Sequence, residues 1–180
     1  MNRPATLLVL LLAGLLAGCG GGSRPTGIRA AETPADDVAE YQPRWRSHTV
    51  DSTQYRKVFL AGTIDMGRSA DWQAALVARF RDSIGGRWLF FNPRRREFHA
   101  SPAEMEYQVA WELAHLEAAD LIVMNLLGDS RSPISLLEMG LYARSGKLFV
   151  ACSPDYYRYD NVRITCRRYG VPLYDSLTAL

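Results

Sequence analysis

Histidine and cysteine are scarce here, three of each among 180 residues, and neither kind is spaced for a metal. His48, His99 and His115 form no HExxH-like pattern, and Cys19, Cys152 and Cys166 supply no CxxC pair, so no metal site and no cofactor is expected. Charge of one sign is lacking too. With 21 basic and 19 acidic residues the net charge is +2, too even to imply binding to a nucleic-acid polymer by electrostatics. The one basic run, Arg94 to Arg96, reads either as a solvated loop or as a phosphate contact. No apolar run is long enough to span a bilayer comfortably; the longest lies at Leu7 to Leu16. A chain of this length with 48% hydrophobic residues fits one well-filled domain rather than two.

The N-terminal apolar run follows Arg3 and ends at Leu16-Ala17-Gly18-Cys19, small residues ahead of a cysteine. Residues 1–18 thus read as an export leader and resemble a bacterial lipoprotein signal. That resemblance implies lipidation of Cys19, membrane attachment through it and residence in the cell envelope, at the outer membrane in a Gram-negative cell. Residues 19–55, rich in Gly, Pro, Ala, Ser and charge, are expected to be a tether whose last part, with Tyr41 and Trp45, packs on the domain.

From residue 56 to 180 the pattern alternates between strands and helices. Strands are predicted at Lys57 to Ala61, Trp88 to Phe91, Leu121 to Leu127, Leu148 to Cys152 and Val171 to Tyr174. Helices are predicted at Asp71 to Ile84, Glu104 to Ala118, Pro133 to Arg144 and Asn161 to Tyr169. The strands are uniformly apolar, which predicts an α/β fold with a parallel five-stranded sheet and helices on both faces. A flavodoxin-like, Rossmann-like order 2-1-3-4-5 places the switch point between the loops after the first and third strands.

Glu138 is the oddity of the third helix, a carboxylate beside the apolar stripe Ile134, Leu137, Leu141. Ser132 is its expected N-cap and Pro133 its first residue. In the preceding helix Glu104, Gln108 and Glu112 form a polar stripe next to Val109, Leu113 and Leu116, with Glu112 at the boundary. Two carboxylates can divide the work at a sugar anomeric carbon. One attacks to form an ester and the other handles the leaving group's proton. Glu138 suits attack, because the helix N-terminus favours its charged form; Glu112 suits proton transfer if its pKa is raised. The bland reading of Glu112 is a paired surface carboxylate. Cys152 and Cys166 read as core residues, with pairing in an oxidising compartment left open.

The motifs VFLAGTIDMG (58–67), FNPRR (91–95), QVAWEL (108–113), EAADLIVMNL (117–126), SPISLLEMGLYA (132–143) and NVRITCRRYG (161–170) together resemble the nucleoside 2-deoxyribosyltransferase-like family, related to 2′-deoxynucleoside 5′-phosphate N-hydrolases. The resemblance implies cleavage of the N-glycosidic bond of a nucleoside or nucleotide, with transfer to another base or to water. It implies that Glu138 is the nucleophile and, less directly, that Glu112 is its partner. Gly62, Thr63, Gln108, Ser132 and Asn161 would bind substrate, with backbone N–H groups of the first-strand loop holding sugar or phosphate oxygens. Asn161 resembles an asparagine that reaches a neighbouring subunit's sugar site, which implies a homo-oligomer. Six positions before the nucleophile the base-exchanging relatives carry Asp and the nucleotide hydrolases a Ser that contacts 5′-phosphate; here the residue is Ser132, and Asp129 replaces the Asp only if its loop folds back. The alternative is a non-catalytic envelope protein that binds a nucleotide-like ligand on the same fold.

Overall fold

The computed structural model describes residues 37–97 and 101–180. The leader at 1–18, the lipidation at Cys19, the first part of the tether and His99 lie outside the described residues. The elements follow as β1 (Val38–Gln42), β2 (Trp45–Arg46), β3 (Arg56–Gly62), α1 (Trp72–Ser83), β4 (Trp88–Phe91), α2 (Pro102–Ala118), β5 (Leu121–Leu126), α3 (Pro133–Tyr142), β6 (Leu148–Cys152), α4 (Tyr159–Tyr169) and β7 (Leu173–Tyr174).

One sheet holds the strands in the order β2-β1-β4-β3-β5-β6-β7, parallel throughout except for β2 against β1. The five predicted strands are β3 to β7, and they take the 2-1-3-4-5 order. The sheet has seven strands rather than five, because residues assigned to a tether ending at Tyr55 form β1 and β2. Val38, Ala39 and Tyr41 are buried in the sheet. Pro43 and Arg44 make the two-residue connection between them, with Arg44 in the left-handed region at φ 61°. Pro43 and the charge at Glu40 are what made this stretch read as a linker.

Helix α1 covers one face, where Trp72, Leu76 and Val77 meet Val58, Leu60, Phe90 and Val123. Helices α2, α3 and α4 cover the other, bringing Leu116, Met139, Val162 and Cys166 against Phe59, Ile122, Met124 and Val150. Cys152 and Cys166 are free and buried in this second layer, and desolvation pushes their thiols up to about 12 and about 11. Asp71 caps α1 by accepting from Ala74 N–H at 3.0 Å. Ser101 caps α2 in the same way through Glu104 N–H, and this starts the helix at Pro102, before the predicted Glu104.

The three arginines of the basic run are engaged by the protein, Arg94 buried, Arg95 half-buried and Arg96 exposed. Arg94 is buried; it donates to the carbonyls of Gly67, Ser69 and Ala70 and to Gln73 Oε1, and pairs with Asp71 at 3.4 Å. It therefore staples the β3–α1 loop to the end of β4. Arg95 holds Glu104 at 3.2 Å. Arg96 lies over the Trp45 ring, 3.6 Å from its centroid, and so ties β2 to the β4–α2 segment.

Candidate active site

The carboxyl edge of the sheet begins with Gly62. Its φ is 124°, and a Cβ there would stand 2.2 Å from the Asn125 carbonyl oxygen, so only glycine lets β3 approach β5 this closely. Just beyond, Thr63 N–H donates to Asn125 O at 2.9 Å. That donor, expected to hold a sugar or phosphate oxygen, is already spent on the sheet. Thr63 is fully buried. Its hydroxyl accepts from Leu127 N–H at 3.1 Å and meets the Ser132 hydroxyl at 2.7 Å, which joins the β3–α1 loop to the β5–α3 loop.

Ser132 does not cap α3 as predicted. Its backbone is left-handed at φ 40°, its side chain makes no capping bond, and its hydroxyl faces Thr63 and, at 2.8 Å, Ser130. The Ser130 hydroxyl donates to Asp65 Oδ1 at 2.9 Å. Asp65 itself, and Met66 after it, also have positive φ values of 49° and 55°. Three non-glycine residues in left-handed backbone around one cluster of hydroxyls mark a segment held in place by its side-chain bonds. Asp129 is exposed and takes no part.

Helix α3 turns opposite to the sense expected of its apolar stripe. Ser135, Glu138 and Met139 face inward, while Ile134, Leu137 and Leu141 are 60%, 61% and 58% exposed. Glu138 is thus a carboxylate in the interior, only 8% exposed, and the stripe beside it is solvent-facing. Helix α2 repeats the pattern. Leu116 is buried, but Met105, Val109 and Leu113 are exposed. Apolar residues on both helices therefore cover the protein's outside next to the carboxylates, and the core accounts for neither set.

Glu112 projects from α2 into the same region as Glu138, and the two charges feel each other. Burial, reinforced by the Glu112 charge, pushes Glu138 up to about 8 from an ordinary value of 4.5. Glu112 is raised by burial as well, but its hydrogen bond from Gln108 and the Arg95 charge hold it down. The helix dipole, expected to keep Glu138 ionised, is outweighed by desolvation. Glu138 is the more strongly raised of the two and so keeps its proton to higher pH.

Gln108 orients Glu112. Its Nε2 donates to Glu112 Oε1 at 2.6 Å and to the Pro93 carbonyl at 3.1 Å, and its Oε1 accepts from Arg95 Nε. All its polar atoms are engaged inside the protein, so the residue positions a carboxylate where substrate contact was expected. Asn161 is brought to none of these groups. It is exposed on α4 and lines a separate groove of about 320 Å³ with Leu136, Met139, Gly140 and Val162, on the other flank of α3. Sequence reasoning missed Asp65 and Ser130, whose only signal was polar residues in the two loops that flank the switch point. Among the described residues no group of His, Cys, Asp or Glu side chains is arranged to hold a metal ion.

A buried carboxylate on α3 and a half-buried one on α2, at the switch point of a parallel sheet, make an arrangement able to attack carbon with one group and move a proton with the other. No curated protein matches this chain. The family described as nucleoside 2-deoxyribosyltransferase like does match, over residues 55–156, a stretch that runs from the start of β3 past β6 and contains Glu112, Ser132 and Glu138. The chain belongs to the nucleoside 2-deoxyribosyltransferase-like family.

Proposed function

We propose that this protein breaks the N-glycosidic bond of a 2′-deoxynucleoside or its nucleotide, with Glu138 as nucleophile and Glu112 as acid and base. The observation that carries this reading is a carboxylate buried on the inner face of α3, Glu138, with Glu112 of α2 near enough for its charge to raise it. Attack needs one carboxylate and departure of the base needs one acid, two tasks that a neighbouring pair of carboxyls can divide. Substrate binding that leaves the proton on Glu112 frees Glu138. Its oxygen then bonds to C1′ as the C1′–N bond breaks, the bonding pair goes to the base nitrogen, and the Glu112 proton follows it. Water or a second base then attacks C1′, Glu112 takes that nucleophile's proton, and Glu138 leaves as carboxylate. The first acceptor gives hydrolysis and the second gives base exchange.

The test is trapping with a 2′-fluoro-2′-deoxynucleoside followed by intact-mass measurement. One glycosyl adduct on the wild type and none on Glu138→Ala is expected. No adduct on the wild type, or one that survives the substitution, overturns the nucleophile assignment. One observation favours a second reading, binding without turnover: Glu138 is the more basic of the pair, and a protonated carboxyl does not attack. Ligand binding with no base released across a panel of nucleosides and nucleotides would favour that reading.

The partner we propose is a second copy of the chain. The exposed side chains of Met105, Val109, Leu113, Ile134, Leu137 and Leu141 flank the carboxylates, and Asn161 lies apart from its own Glu138, as a residue serving a neighbour's site would. For the N-terminus the proposal is membrane attachment in the cell envelope through a lipidated Cys19. Metabolic labelling with a fatty acid, lost in Cys19→Ala, would support it.

A further inference from the structure

We infer that the edge of the sheet at which its parallel strands begin is a docking surface for an anionic lipid bilayer, and that docking turns the carboxyl edge away from the membrane. The inference rests on the attachment through Cys19 proposed above and adds which surface meets the lipid.

Topology decides which residues share this edge. Helices α1 to α4 each connect two parallel strands, so each returns its C-terminal end to the level where the strands start. The edge thereby collects exposed arginines from both helical layers. Arg79 and Arg81 come from the end of α1 on one face, and Arg144, Arg167 and Arg168 from just past α3 and the end of α4 on the other. Arg56 at the start of β3 and Arg87 ahead of β4 lie between them. Among the described residues no ion pair holds Arg79, Arg81, Arg167 or Arg168.

Acids are fewer at this edge. Asp37 is answered by Arg87 at 3.5 Å, and of the exposed carboxylates Asp51, Asp82, Glu117 and Asp120, the last already accepts from Lys57 N–H at 2.8 Å. The opposite edge has no such excess of base. There the loops after β3, β5 and β6 expose Arg68, Arg131 and Arg158 against Asp71, Asp129 and Asp155, one for one. A charge that is nearly even over the whole chain is therefore unevenly divided between the two ends of the strands.

Arginine suits lipid phosphate, being planar, always charged and able to donate two hydrogen bonds at once. Ile84 and Tyr169, 38% and 41% exposed at the same edge, bring an apolar and an aromatic group to the depth of the headgroups. The chain leading back to Cys19 also joins here, because β1 runs parallel to β4 with Val38 opposite Trp88. A lipid on Cys19 fixes the protein to a membrane without fixing which way it faces; the arginines supply the second signal. The loops that carry Thr63 and Ser132 then open toward a soluble substrate.

The test is flotation of the full chain with vesicles of phosphatidylcholine alone or with about a third phosphatidylglycerol, in a Cys19→Ala background so that no acyl chain contributes. Each arginine near an anionic surface adds about fivefold to partitioning. The protein is therefore expected to favour the anionic vesicles by about tenfold or more at low salt and to lose that preference in about 0.5 M salt. Arg79→Gln, Arg81→Gln, Arg167→Gln and Arg168→Gln combined should lose most of it, and each pair alone should fall between, which separates lost charge from a misfolded variant. Arg68→Gln with Arg131→Gln should keep it. On the same vesicles the lipidated wild type should show Arg167 and Arg168, and not Arg131, protected from phenylglyoxal in mass mapping. Equal binding to both kinds of vesicle, a preference untouched in the combined variant or lost as fully in the control pair, or protection of Arg131 instead, overturns the inference. Equal affinity for a DNA duplex in the same salt would assign the edge to polyanions at large and overturn it too. A charge preference that persists while Cys19 carries no fatty acid removes the anchor and leaves this surface standing.

Discussion

Glu138 ties stability to pH through a group whose folded pKa is raised from 4.5 to about 8. The sign follows directly. Below about pH 4.5 the carboxyl is neutral whether the chain is folded or not; as pH climbs from there through 8, the unfolded chain gains a hydrated charge that the folded one resists, and the fold weakens. Glu138→Gln removes the titration. Its melting temperature is expected to be close to that of the wild type at pH 4.5 and to exceed it by roughly 10–15 °C at pH 8, the size of a roughly 4 kcal/mol difference in a domain of this length. A gap that does not change with pH would mean that burial of the charge is not what distinguishes the two proteins. The same proton bounds catalysis, since activity should fall on the alkaline side as the pair loses its last proton near 8. Glu138 could be found in the sequence as a charge on an apolar helix. That both carboxyls are raised, and Glu138 the more, could not, because it depends on how far α2 and the sheet exclude water. Asp65 was hidden for a related reason: it accepts from Ser130, 65 residues away, and nothing local announces the bond.

At the scale of elements, α2 and α3 show where periodicity succeeds and where it misleads. Their positions follow from apolar spacing, with α3 starting at Pro133 as predicted and α2 two residues earlier than predicted. Their rotation does not, because both helices carry two apolar strips and the pattern says nothing of which one meets the sheet. Met139 and Leu116 are the inner members, and Leu137 and Leu113 the outer. Leu137→Asp is therefore expected to leave the thermal unfolding of a monomer nearly unchanged and to shift sedimentation from an assembly to a monomer. A variant that stays assembled, or a wild type that is monomeric at micromolar concentration, would remove the case for a second copy on this face. The basic run at 94–96 misled in the same way. Read in isolation it belongs to solvent or phosphate, whereas the fold gives Arg94 five hydrogen bonds to four residues of the β3–α1 loop and helix α1.

For the molecule as a whole, the order β4-β3-β5-β6-β7 was accessible from apolar runs and the handedness of crossovers, and the outer pair β2-β1 was not, because Pro43 and flanking charge hide a five-residue strand. That pair closes the edge of β4 and buries Val38, Ala39 and Tyr41. A chain beginning at residue 52 is expected to expose β4, to melt at a clearly lower temperature and to aggregate on heating; equal melting and solubility would show that β1 adds nothing to the fold. The direction of β1 has a mechanical corollary. It runs parallel to β4 through four register pairs, from Val38 opposite Trp88 to Tyr41 opposite Phe91. A pull on the chain ahead of Val38 acts along the strand, so these pairs are loaded in shear and resist together. Hauled by its leading end, the domain yields as a block instead of peeling strand by strand.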